Sequence, residues 1–198
     1  MEKNELPASP FVLFEEWFNE AKANHLIGIP ESFCLSTVNK NGCPDSRIVL
    51  LKGCRRNEFV FFTNSLSTKG QDLRHNPNVA MNFYWEPLGK QIRIQGMVEK
   101  IDNNESDTYF AMRPRGSQIG AWASEQSRPI PSRAYLEKKE ADFTLKFEGA
   151  EVPRPEHWFG YSVKPSKIEF WLNKDNRLHD RFVFTPQNEE WIPLRVAP

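Results

Sequence analysis

Apolar and polar positions along this chain follow two different periods. Phe11, Phe14, Trp17, Phe18 and Ala21 recur at three- and four-residue intervals, which predicts an amphipathic helix over 10–25. Ser9 and Pro10 suit its N-cap and first helical position, and residues 1–8 before it form an expected loose tail. Beyond Pro30 the period drops to two. Strands are expected over 33–39 and 46–52, joined by the hairpin turn Asn39-Lys40-Asn41-Gly42, and again over 58–63, 79–85 and 91–98. Between the third and fourth of these, the polar stretch 64–70 opens a short helix that Pro77 ends. Successive strands on short turns, without a regular βαβ alternation, predict an antiparallel barrel rather than a doubly wound sheet.

From Asn104 the pattern becomes helical, over 107–112, 117–124 and about 132–147. Short strands are then expected over 160–163, 168–172, 181–184 and 191–194. Within this last part, Ile168-Glu169-Phe170-Trp171 leads through four turn formers, 173–176, into Arg177-Leu178-His179-Asp180-Arg181-Phe182. If the chain is extended from Arg177 onward, Arg177, His179 and Arg181 share one face. Two guanidiniums flanking an imidazole are costly in a core but suit a cleft that receives a planar anion. A solvated strand face with a turn-stabilising Asp accounts for the same hairpin equally well. No repeat, low-complexity tract or linker interrupts the chain, so 1–198 reads as one domain, mainly β with peripheral helices.

Composition narrows the classes of function. Lys plus Arg and Asp plus Glu each total 26, so no global basic field gathers nucleic acid and any anion site must be local. Cys34, Cys43 and Cys54 are odd in number and lack CxxC spacing, which points away from a disulfide framework or a zinc site. No apolar run reaches membrane-spanning length and the N-terminus lacks a signal-peptide core. A soluble, cytoplasmic protein without a structural metal is the expectation.

Two stretches could bind phosphate. Ser67-Thr68-Lys69 stands where a helix begins, with free N–H groups and the positive end of the dipole; Arg47 would complete a pocket with Lys69. It lacks the P-loop pattern, and a plain capped helix start fits it too. Tyr109, Arg113 and Ser117 are spaced by fours. Pro114 breaks the helix, yet a bent segment could bring phenol, guanidinium and hydroxyl onto one anion, with Lys52 as a fourth member. The bland alternative is helix capping by Ser117 beside a solvated Arg113. HExxH, GxSxG and GxGxxG patterns are all missing, and His25, His75, His157 and His179 are scattered.

Taken together, Arg47-Ile-Val-Leu-Leu-Lys52, Phe62-Thr-Asn64, Tyr109-Phe-Ala-Met-Arg113-Pro-Arg-Gly-Ser117-Gln-Ile-Gly-Ala-Trp122, Ile168-Glu-Phe-Trp171 and Arg177-Leu-His-Asp-Arg-Phe182 closely resemble the pyridoxamine 5′-phosphate oxidase family. The resemblance runs over 33–198 and includes the closing Leu194-Arg-Val-Ala-Pro198. It implies a split β-barrel homodimer with FMN in clefts between subunits. The implied reaction oxidises pyridoxamine 5′-phosphate or pyridoxine 5′-phosphate to pyridoxal 5′-phosphate, with O₂ as acceptor and H₂O₂ as product. Residues 155–198 would then carry dimerisation and substrate strands.

Carried over by position, the resemblance assigns FMN to Arg47, Ile48, Val49, Leu50, Leu51, Lys52, Phe62, Thr63, Thr68, Lys69, Gln91, Gln126, Ser127, Trp171 and Arg181. It assigns the substrate phosphate to Lys52, Tyr109, Arg113 and Ser117, and the substrate ring to Arg177, Leu178 and His179. Arg177 and His179 are the implied catalytic pair, acting by orientation rather than covalently. Thr68 departs from the family, where a basic residue is common, which predicts weaker FMN binding. Phe62 replaces a common Tyr, and 1–10 matches no substrate-covering segment. Two alternatives are an oxidase of another substrate on the same scaffold, such as a phenazine precursor, and a flavin or pyridoxal-phosphate carrier without turnover.

Overall fold

The computed structural model describes residues 5–188 and 190–198. Of the expected tail, residues 1–4 lie outside the described part, and Leu6 packs against the core. Helix α1 (Pro10–Ala23) starts as its sequence predicts, with the Ser9 hydroxyl accepting from the Phe11 N–H. Its apolar stripe lies inside a curled sheet. The Phe14 ring meets Phe59 and Phe83 at 4.8 and 5.5 Å, and Trp17 meets Phe170 edge-on at 5.3 Å. Phe14 is fully buried, so truncating it to Ala would cost about 3–5 kcal/mol.

The sheet is antiparallel throughout. Strands β1 (Ser32–Val38), β2 (Pro44–Leu50), β3 (Gly53–Arg55), β4 (Glu58–Asn64), β5 (Asn78–Trp85), β6 (Lys90–Lys100) and β7 (Trp158–Leu172) run in the order β2-β1-β5-β6-β7-β4-β3. Strand β8 (Asp180–Gln187) pairs with β7, and β9 (Glu190–Arg195) with β8. The two ends of that order, β2 and β3, are consecutive in the chain. Leu51 and Lys52 join them, the Leu51 N–H donating to Glu31 and the Lys52 N–H to Val60, so the sheet curls into a split barrel. The short β3 escapes the sequence pattern because three residues cannot display a period.

Two expectations are corrected. The segments read as separate strands at 160–163 and 168–172 form one strand, β7, fifteen residues long. A bulge lets it continue through Pro165: Gln95 stands opposite Lys167 and Gly96 opposite Pro165, leaving Ser166 extra. Gly96 is required there, because a Cβ would come 2.3 Å from the Lys164 carbonyl oxygen. One edge of β7 pairs with β6 along its length. The other pairs with β4 over 158–163 and with β8 over 168–172, and the barrel splits between them.

The second correction concerns Arg177. It is not in a strand, since Asp175–Arg177 is a 3-10 turn in which Asn176 and Arg177 have φ of 56° and 63°. The backbone enters the left-handed region twice, pairing resumes at Asp180, and alternation cannot align Arg177 with His179 and Arg181.

Helices α2 (Thr68–His75), α3 (Asn103–Ala111), α4 (Arg115–Ala123) and α5 (Arg133–Lys146) sit around the barrel. The last three enclose a second apolar cluster of Phe110, Ile119, Phe147, Val152 and Trp158. Among the described residues no helix is long and apolar enough to cross a membrane.

Candidate active site

A cavity of about 660 Å³ opens where β2 and β4 face α3 and α4. Its strand wall comprises Ile48, Val49, Leu50, Lys52, Phe62 and Thr63; its helical wall includes Tyr109, Arg113 and Ser117; Lys69 and Gln126 stand at one end. The helical wall depends on a bend. Helix α3 ends at Ala111 and α4 begins at Arg115 behind Pro114, as Pro114 dictates. The buried Gln118 amide donates to the carbonyls of Phe110 and Ala111 at 3.0 and 3.2 Å, satisfying the end of α3 and fixing α4 against it. Ser117 is therefore inside α4 and does not cap it, and Tyr109, Arg113 and Ser117 line one cavity.

Arg113 is stacked rather than solvated. Its guanidinium lies 4.7 Å from the Trp158 ring centroid and 5.4 Å from that of Phe110. Phe62 stacks between neighbours, 4.0 Å from Tyr109 and 5.0 Å from Trp158, both at 12°. Burial lowers the Arg113 pKa from its ordinary value, the Tyr109 phenol opposing, yet a guanidinium stays charged at neutral pH. One of its terminal nitrogens, Nη1, is buried without a hydrogen-bond partner among the described residues. A buried charged donor without an acceptor is costly, and an anionic oxygen in this cavity would relieve that cost.

The other end is organised by the start of α2. The Ser67 hydroxyl caps the helix by accepting from Gly70, and a Cβ at Gly70 would come 2.5 Å from the Ser65 backbone. The Lys69 ammonium is held by Gln126 Oε1 at 2.9 Å, Thr63 Oγ1 at 3.2 Å and Ser67 Oγ at 3.4 Å. Burial pulls its pKa down to about 8; Arg47 adds to this and Asp45 opposes it. Arg47 does not line the cavity. It donates to Asp45 at 2.6 Å, to Thr37 at 2.8 Å and to the Leu35 carbonyl at 3.2 Å. Leu51 is core, Thr68 is the exposed first residue of α2, and Ser127 follows Gln126 with φ of 70°.

The remaining candidates lie elsewhere on the same chain. Gln91 pairs with Trp171 across β6 and β7, and Trp171 with Arg181 across β7 and β8. The Arg181 Nε donates to Glu169 at 2.8 Å, and Arg93 reaches the other oxygen of that buried carboxylate at 3.2 Å. His179 lies 4.5 Å from the Trp171 ring and its Nδ1 accepts from the Lys174 N–H. Arg177 and Leu178 are exposed. None of these lines the cavity.

Trp158, Met112 and Pro114 also line it and were not candidates from sequence. Trp158 could have been found: it opens an aromatic strand, and the stripe of Tyr109 and Arg113 needs an apolar surface to lie on.

Against known proteins, residues 20–146 match the pyridoxamine 5′-phosphate oxidase family, and residues 158–198 match the pyridoxine 5′-phosphate oxidase C-terminal dimerisation region. The pyridoxine/pyridoxamine 5′-phosphate oxidase of Leptospira biflexa is 52% identical over 189 residues, covering 96% of this chain and 89% of that protein. That of Burkholderia thailandensis is 50% identical over 193 residues, with the same coverage. Among solved structures, PhzG from Burkholderia lata in complex with tetrahydrophenazine-1-carboxylic acid superposes with a TM-score of 0.90 at 26% identity, covering 98% of this chain and 95% of that one. An FMN-binding protein from Nostoc punctiforme, related to pyridoxamine 5′-phosphate oxidase, shares the fold with a TM-score of 0.76 at 14% identity, covering 98% and 100%. Two successive segments match over most of the sequence, and half the positions are identical along nearly its whole length: the chain belongs to the pyridoxine/pyridoxamine 5′-phosphate oxidase family.

Proposed function

We propose that this protein oxidises pyridoxamine 5′-phosphate and pyridoxine 5′-phosphate to pyridoxal 5′-phosphate, using bound FMN and O₂ and releasing H₂O₂; the amine also consumes one water, which supplies the aldehyde oxygen, and releases ammonia. The observation that carries this reading is Arg113: a half-buried guanidinium, stacked on Trp158, whose buried Nη1 is an unused donor beside a cavity that Lys52 and Ser117 also line. Such a donor set suits a phosphate ester. Identity of about half to the phosphate oxidases against 26% to PhzG speaks against the phenazine-type alternative.

The residues present fit FMN. Lys69 at the start of α2, with the exposed Thr68 beside it, suits the flavin phosphate, and Ile48, Val49, Leu50 and Phe62 supply an apolar wall for the ring. When bound, FMN supplies the two-electron acceptance that no side chain here can provide. The protein's part is to bind and orient. Arg113, Ser117, Tyr109 and Lys52 hold the substrate phosphate. Arg177 covers the ring, Leu178 packs beside it, and His179, oriented by Trp171 and the Lys174 N–H, hydrogen-bonds a ring substituent. In this reading the cavity is completed in the homodimer, where Gln91, Trp171, Arg177, His179 and Arg181 of one subunit serve the cavity of the other. The whole chain acts as one domain, with 155–198 at the dimer contact. The enzyme works in the cytoplasm, consistent with the free thiols of Cys34, Cys43 and Cys54.

Anaerobic addition of pyridoxamine 5′-phosphate to the FMN-loaded protein should bleach the flavin absorbance, and air should restore it with pyridoxal 5′-phosphate formed. Flavin that binds but stays oxidised would overturn the substrate; protein that takes up no FMN would overturn the cofactor site.

A further inference from the structure

Helix α2 presents two faces to two different spaces. Lys69 turns to the active-site cavity, while Gly70, Leu73 and Arg74, spaced three and four residues apart, line a separate cavity of about 280 Å³. Across that second cavity stand Val98 and Lys100 of β6 and Tyr161 of β7, the last two being direct partners in the sheet. Its chemistry is one-sided. Two cations enter it and no carboxylate lines it. Among the described residues the exposed Arg74 side chain makes no hydrogen bond or ion pair, and the exposed Lys100 ammonium lies 3.5 Å from the Phe159 ring centroid. Tyr161 is only 6% exposed, yet its hydroxyl finds no protein partner among the described residues and is not sealed from the cavity. Burial raises its pKa and the nearby Arg74 opposes, so it stays a neutral donor at physiological pH.

We infer that this cavity is a second binding site, for a small organic anion: a carboxylate or phosphate head bound by Arg74, Lys100 and the Tyr161 hydroxyl, and an apolar body against Leu73 and Val98. One bound oxyanion would pair with both cations that line the cavity and give the Tyr161 hydroxyl a partner. The apolar floor favours a ligand with a hydrophobic body over inorganic phosphate.

The test is calorimetric titration of the FMN-saturated protein carrying Arg113→Ala, which weakens anion binding in the active-site cavity, with phenyl phosphate, benzoate and inorganic phosphate as probes. Saturable binding of phenyl phosphate or benzoate at one site per chain is expected, tighter than inorganic phosphate. The preference between the first two identifies the head group. Adding Arg74→Ala or Lys100→Ala should weaken it about tenfold or more, as loss of a charge-assisted hydrogen bond does, and Tyr161→Phe severalfold. Arg74→Lys should recover most of the loss, separating charge from damage to the fold. Absence of saturable binding, or affinity indifferent to both Arg74→Ala and Lys100→Ala, would overturn the inference.

Discussion

Around the proposed active-site cavity Arg113 lies on Trp158 and Lys69 is held by three oxygens, whereas Arg177 and Leu178 stand in solvent on a turn with left-handed backbone. The first region is fixed by the fold of one chain: a bend at Pro114, a buried Gln118 and an aromatic stack determine where each donor sits. The second is fixed at its base, where Glu169 ties Arg181 and Arg93 together and His179 lies against Trp171, while Arg177 and Leu178 at its tip are exposed. Donors for a phosphate gain from rigidity, because an ion pre-organised in low dielectric need not be reoriented on binding. A group that must cover a ring after the ring has entered gains from freedom. The two regions thus divide the work of the proposed site between anchoring and closing.

That division can be broken at its anchor first. Arg113→Ala should lower kcat/KM by about 10²–10³-fold, mainly through KM, with FMN content unchanged. An equal loss of FMN would show that the two phosphate positions are not separate.

A smaller effect is expected at the closing side. Arg177→Gly should cut kcat/KM by roughly 10–100-fold while leaving stability equal or raising it by up to about 1 kcal/mol, since glycine accepts a φ of 63° without strain. Steady-state kinetics and thermal melts on the same preparation check both halves, and unchanged kinetics would refute the role of Arg177.

Lys69 sharpens the comparison through pH. Its folded pKa of about 8 lies below the ordinary 10.5, so between these values the unfolded chain binds more protons. This group alone makes the FMN-free protein more stable as pH rises through that window. Phosphate binding has the opposite sign, because the ammonium is lost as pH climbs past about 8. FMN affinity should therefore fall above about pH 8, by severalfold, and Lys69→Gln should flatten that limb in a fluorescence titration. The smallest effect is expected from Thr68→Arg, which adds a cation at an exposed helix start and should tighten FMN about two- to tenfold, less at high salt.

Much of this architecture was legible in the sequence because it is written in period. The aromatic stripe of α1, the alternation in β6 and the Asn39–Gly42 turn each specify their own structure locally. The convergence of Tyr109, Arg113 and Ser117 was legible as spacing plus one proline. What was not legible depends on distant partners. Nothing in Lys164-Pro165-Ser166 says that β7 continues through it; that rests on Gly96, some seventy residues earlier, making room for a bulge. The turn at Asn176 and Arg177 was missed because alternation was extended through residues whose backbone reverses. That the two halves serve one site was read from the resemblance to a family, since no periodicity links Lys52 with His179.

The bulged strand has a consequence for how the chain is made. β7 is the shared partner of β4, β6 and β8, and it is the last of the long barrel strands to leave the ribosome. Between completion of β6 at Lys100 and the start of β7 at Trp158, synthesis at about 5–20 residues per second takes roughly 3–12 s. Throughout that interval one edge of β6 and one edge of β4 lack the strand that covers them, in a chain rich in aromatic side chains. Cooperative closure of the barrel therefore waits on β7, and a chain halted before Leu172 cannot complete it.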